Sequence, residues 1–170
     1  MTEIEDTPAG VPHEYLRFDN AEAFQQAVDR LLAQQGRELR IFDADLSAYR
    51  FDTPQRVQAL RDFLAGSRAR RVQVAVHDTD HITKRCPRLV ALLGQFAHAM
   101  QINRTHEEIR ELPDSFAVLD KHHYVRRPVG RYYRGAAGFH DETEALVMRA
   151  RFNEIWAASY PGVSANTLGL

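Results

Sequence analysis

The stretch Ser115-Phe116-Ala117-Val118-Leu119-Asp120, followed by Tyr124-Val125-Arg126-Arg127-Pro128 and Arg131-Tyr132-Tyr133-Arg134-Gly135, decides the fold class. Phe116 to Leu119 is an unbroken apolar run and reads as a buried strand. His123 to Arg126, and then Tyr132 to Phe139 beyond Pro128 and Gly130, read as two more. N-terminal to this block, helices and strands alternate. Ala21, Phe24, Val28, Leu31 and Leu32 share a helix face behind Asp19 or Asn20 as cap, with Gly36 as the stop. Leu39 to Phe42 is a short strand ending at Asp43. Thr53 and Pro54 open a second helix carrying Val57, Leu60, Phe63 and Leu64, which stops at Gly66.

Val72 to Val76 is the next strand, and Pro87 opens a helix presenting Leu89, Leu92, Leu93, Phe96 and Met100. Gln101 to Glu107 is a weaker strand, supported by Ile102 and Thr105 alone. Beyond the decisive block, Asp141 and Glu144 form a capping box, and Ala145, Met148, Phe152, Ile155 and Trp156 give the closing helix its buried face. The order α-β-α-β-α-β-β-β-β-α predicts an α/β fold, a mixed sheet flanked by helices. Residues 1–12, with Pro8, Gly10 and Pro12, are expected to be a flexible tail, and 13–170 a single domain.

A chain of 170 residues, 44% hydrophobic and 26% charged, fits one globular domain with its own core. Its one cysteine, Cys86, allows no internal disulfide and suggests a reducing, cytoplasmic setting. Cys86 reads as a small packed residue before Pro87, not a nucleophile. No transmembrane segment or secretory leader is read. Acids predominate over residues 1–65 and cations over 66–140, and the densest positive run is Lys121, Arg126, Arg127, Arg131 and Arg134 with His122 and His123. A genome rich in G and C accounts for such arginine excess without function; recognition of phosphate or carboxylate is the functional alternative. Tyr124, Tyr132 and Tyr133 interleave with the run, as they do in plain strand alternation or in a stacking surface for bases.

Two acidic groups invite chemistry. Phe42-Asp43-Ala44-Asp45-Leu46-Ser47, at a strand exit, is similar to the first motif of haloacid-dehalogenase-type phosphatases, in which one carboxylate attacks and magnesium balances the phosphate charge. The remaining motifs of that family are not matched, and acidic turn residues are the plainer reading. His77-Asp78-Thr79-Asp80-His81 offers part of a metal site, but no ligand spacing links it to Cys86 or to His122 and His123, so no metal and no cofactor is assigned. A phosphate loop and a Gly-x-Ser-x-Gly elbow are also missing.

The alternation of strands and helices, the decisive block, and the closing helix with Phe152 and Trp156 together resemble one half of the phospholipase D-like fold. The pattern is similar in particular to a bacterial domain of that type, found alone or joined to acetyltransferases, with Leu168-Gly169-Leu170 as a similar ending. Active members carry His-x-Lys-x-x-x-x-Asp. With Asp120 in the aspartate place, the lysine place falls on Ser115 and the histidine place on Pro113. None of the eight histidines is followed two residues on by lysine.

The resemblance therefore implies the fold without the activity: a noncatalytic module, with neither covalent catalysis nor charge stabilisation at the phosphate. The expected ligand-binding residues are Lys121, His122, Arg126, Arg127, Arg131 and Arg134, addressing an anionic ligand or an acidic protein surface. A phospholipid headgroup or nucleic acid would also fit, though a pI near 6.7 gives nucleic acid no priority. A homodimer is implied by the resemblance. The alternatives are a metal-dependent phosphatase using Asp43 and Asp45, and a structural or regulatory partner of an acetyltransferase.

Overall fold

The computed structural model describes residues 11–164. In chain order they form β1 (Glu14–Phe18), α1 (Ala21–Leu32), β2 (Glu38–Asp43), α2 (Pro54–Ala65), β3 (Arg71–Val76), α3 (Asp80–Arg85) and α4 (Pro87–Gln95). Then follow β4 (Met100–Thr105), β5 (Ser115–Leu119), β6 (His123–Arg127), β7 (Gly135–Phe139), α5 (Glu142–Ala157) and β8 (Ser159–Val163). All eight strands join one sheet in the order β1-β7-β6-β5-β2-β3-β4-β8. β2, β3 and β4 are parallel, as their helical crossovers require, and every other pairing is antiparallel. The fold is thus the expected α/β arrangement, a mixed sheet flanked by helices.

Strand alternation divides the core between two faces. Leu39, Ile41, Val72, Val74, Ala117, Val125 and Phe139 face α1, α2 and α4. Phe42, Phe116, Val118 and Tyr124 face α5 through Ala145, Met148, Phe152 and Ile155. The helix starts follow local chemistry: Asn20 accepts from the Ala23 amide at 2.8 Å, Thr53 caps α2 ahead of Pro54, and Asp141 caps α5.

Several expectations need correction. Edge strands β1 and β8 lie where no strand was read, and α3 begins at Asp80, within the stretch His77 to His81, with Thr79 as its N-cap residue. Met100 opens β4 and does not end the preceding helix. Tyr132 to Arg134 lie outside β7, because the Arg127 guanidinium gathers the Gly130 and Tyr132 carbonyls and curls that segment back. Trp156 is half-buried, stacked on Phe152 at the edge of the α5 contact and not within it. No helix among the described residues is long and apolar enough to cross a membrane. Residues 1–10 of the expected tail, and the ending Leu168-Gly169-Leu170, lie outside the described residues.

Candidate functional site

α5 lies over β5, β2, β4 and β6, and toward β1 the same sheet face opens to solvent. There the register aligns Arg17 on β1, Ala136 on β7 and Arg126 on β6 in one row, with the two arginines flanking the small alanine. Neighbouring strands are about 4.8 Å apart, so the arginine backbones stand roughly 10 Å from each other. With Arg134, from the loop before β7, they line an open basin of about 580 Å³. Asp19 is the one carboxylate among its lining residues, and Tyr15, two residues from Arg17 on the same face, is 53% exposed.

The depression follows from the composition of β7, Gly-Ala-Ala-Gly-Phe. A Cβ at Gly135 would lie 2.0 Å from the Arg126 carbonyl oxygen, and one at Gly138 would lie 2.4 Å from the Tyr124 ring. Gly138 lets that ring cross β7, where the phenol donates to Asp141 at 3.1 Å and ties the sheet to the α5 cap. Burial and the Asp141 carboxylate push the Tyr124 phenol pKa well up.

The six expected ligand-binding residues part company here. Arg126 and Arg134 meet at the basin. Arg127, one residue on, faces the other side and is buried. Its Nη2 donates to Asp43 at 2.8 Å and to Ser115 at 3.1 Å, and its guanidinium lies 4.5 Å over the Phe24 ring. Arg131 is exposed, over its neighbour Tyr132. Lys121 and His122 lie at the opposite end of β6; Lys121 reaches Glu142 at 3.4 Å, and the His122 ring packs beside His123.

The acidic candidates are occupied by the chain itself. Asp43 accepts from Arg127 on Oδ1 and from the Asp45 and Leu46 amides on Oδ2, while Asp45 accepts from Ser47. Both His77 ring nitrogens are engaged, with Thr105 Oγ1 at 2.7 Å and the Leu112 carbonyl at 3.0 Å. Asp78 accepts from the Asp80 amide. Asp120, with φ of 53°, accepts from the amides of Arg37 and Glu38 and so ties the β5–β6 turn to the start of β2. Cys86 is buried, and burial pushes its thiol up to about 11. Among the described residues no three His, Cys, Asp or Glu side chains group as they would to hold a metal ion.

Arg17 is the site residue that the sequence reading missed. Its signal was the alternation Glu14-Tyr15-Leu16-Arg17-Phe18, five residues long and next to a segment read as tail.

The fold is that of phospholipase D family proteins. NucT from Helicobacter pylori matches with a TM-score of 0.59 at 11% identity, over 89% of this chain and all of that one. Nuc from Salmonella typhimurium, a phospholipase D family member, matches at 0.57 and 12%, over 90% of this chain and all of that one. TrmBL2, an archaeal chromatin protein with a novel mode of DNA binding, matches at 0.62 and 9%, over 92% of this chain; the match spans 56% of TrmBL2. Likeness at these identities is likeness of fold. No curated protein matches the sequence. The match of residues 20–168, nearly the whole sheet and its helices, places the chain in the family described as a domain of unknown function, DUF7931.

Proposed function

We propose that this domain is a noncatalytic phospholipase D-like module that binds a phosphate-bearing polymer on the open face of β1, β7 and β6. The observation that carries the reading is the meeting of Arg17, Arg126 and Arg134 in one basin, two of them on either side of Ala136. Guanidinium forks suit phosphate oxygens, and exposed Tyr15 beside Arg17 offers a stacking surface for a base. The DNA binding of TrmBL2, a protein of similar fold, supports the same occupant. The noncatalytic part rests on the missing His-x-Lys and on Ser115, which takes the lysine place and lies buried under Arg127. Asp43, buried and hydrogen-bonded on both oxygens, gives the phosphatase alternative no support.

The test is titration of a labelled single-stranded oligonucleotide at low and raised salt, with phosphatidylserine vesicles as a parallel arm. Arg17→Ala, Arg126→Ala and Arg134→Ala should each weaken oligonucleotide binding about 3- to 10-fold and flatten its salt dependence. No binding, or binding that all three variants leave unchanged, rejects the reading; binding to vesicles alone transfers the site to headgroups.

A protein partner is the second reading. Leu146 and Val147 are 43% and 61% exposed on α5, and Val147 shares a shallow depression with Pro128 and Arg126. A second copy of the chain, or an acetyltransferase, would cover these side chains. Light scattering of the purified chain separates a homodimer from a monomer.

A further inference from the structure

Among the described residues only one of the three nitrogens of the Arg40 guanidinium has a partner. Nη2 donates to Glu38 Oε1 at 3.0 Å, while Nε and Nη1 are buried with no acceptor among the described residues. The Arg40 side chain is 9% exposed. Burying donors of a charged group unpaired is costly, and native proteins rarely leave them so. An acceptor that the described chain does not supply is the direct remedy.

The sheet shows where that acceptor enters. Arg40 on β2 pairs with Gln73 on β3, and Gln73 pairs with Gln101 on β4, so three polar side chains form one row on the α5 face. The row before it pairs Glu38 with Arg71. Two residues further along the strands this face turns apolar, at Phe42 and Ala75. Gln101 and Arg71 are exposed and Gln73 is partly so, as polar residues at an open end of the sheet should be; in this row Arg40 alone is buried.

The end of α5 brings Asn153 and Trp156 to a cleft of about 360 Å³, lined also by Arg40, Arg71, Gln73 and His98. That volume suits a small molecule. Arg71 already gives Nη1 to the Arg68 and Arg70 carbonyls, and Glu38 is also 4.0 Å from Arg149. Among the residues that line the cleft, two guanidinium groups stand against the single Glu38 carboxylate, and the charge balance favours an anion.

We infer that the cleft at the start of β2, β3 and β4 binds a small organic oxyanion with a planar ring, its oxygens accepting from Arg40 and its ring lying against Trp156. Nε and Nη1 lie on different edges of the guanidinium, so one oxygen cannot serve both. A phosphate or carboxylate supplies several acceptors, one of them through a bridging water. Both donors are shielded from solvent, so entry of the ligand displaces side chains at the rim, half-exposed Trp156 among them. Phe42, Phe116 and Val118 beneath α5 lie between this cleft and the basin at Arg126, and the two share no lining residue.

Trp156 is the one tryptophan of the chain, so its fluorescence reports on the cleft. The full-length protein is titrated at low salt with AMP, nicotinate and inorganic phosphate, and calorimetry checks the stoichiometry. A saturable change is expected with AMP if the site takes phosphate and with nicotinate if it takes carboxylate, with a weaker response to inorganic phosphate, which has no ring. Arg40→Gln should weaken the Trp156 response at least 10-fold, and Arg126→Ala, outside the cleft, should leave that fluorescence response unchanged. Gln73→Glu, of nearly equal size, places a carboxylate beside Arg40 within the chain; it should abolish binding and raise the melting midpoint. This variant keeps the test decisive if Arg40→Gln does not fold. No saturable response to any probe, or a response that Gln73→Glu leaves unchanged, overturns the inference.

Discussion

Arg127 and Asp43 meet at 2.8 Å with their side chains only 2% and 4% exposed, tying the end of β6 to the end of β2 above Ser115. Strand alternation sends Arg127 inward and leaves its neighbour Arg126 for the solvent side. Two adjacent arginines thus have opposite roles, one holding the sheet together and one available to a ligand.

Removing one member of this pair strands the other. Arg127→Met should cost about 3–5 kcal/mol in urea unfolding, because a buried carboxylate loses its counter-charge. The double variant Asp43→Leu with Arg127→Met should cost less than the two single losses added together. A cost below about 1 kcal/mol for Arg127→Met would show that water replaces the guanidinium without difficulty.

Gly138→Ala tests the passage of Tyr124 across β7. The new methyl meets a ring that is 1% exposed, so overpacking should cost about 1–3 kcal/mol. Tyr124→Leu should relieve the clash, making the double variant more stable than additivity predicts in the same unfolding experiment.

His123 should make the fold acid-sensitive. Burial first, then the positive charges available to His140 and His122, holds its imidazole down at about 4, below the usual 6.5. Its Nδ1 also accepts from the His140 amide at 3.1 Å, which requires the unprotonated nitrogen. The unfolded chain takes up this proton below about pH 6.5 and the native chain only near 4. The contribution is therefore whole above pH 6.5 and is lost as the pH falls from 6.5 to 4. Melting midpoints across that window should fall for the wild type and fall less for His123→Gln; parallel curves would remove His123 from the account.

Phe152 and Trp156 should separate in an alanine comparison. Phe152 is fully buried, and Phe152→Ala should cost about 3–5 kcal/mol. Half-buried Trp156, stacked on it at 5.6 Å, should lose about half as much on truncation. Thermal unfolding of the two variants decides the order, and equal costs would return Trp156 to the core.

The elements easiest to read were those whose period and termini agree. α2 carries its cap, its first-turn proline and its terminal glycine in the sequence, and β5 is apolar on both faces because helices cover both. β1 and β8 were missed because an edge strand needs only one partner and one apolar face, which leaves Glu14–Phe18 and Ser159–Val163 with little apolar periodicity. Trp156 continued the apolar stripe of α5, yet the helix runs past the apolar part of the sheet before reaching it.

By itself the sequence determined the α/β alternation, the missing His-x-Lys and the basic run, since each depends on residue type and near-neighbour geometry. Only the tertiary structure decided which charges meet. Arg17 joins Arg126 because β7 pairs with both β1 and β6, Asp43 neutralises Arg127 across 84 positions, and two buried donors of Arg40 meet no acceptor among the described residues. Such pairings follow from strand order and register, which a linear pattern of apolar and polar residues does not encode when partners lie far apart in the chain.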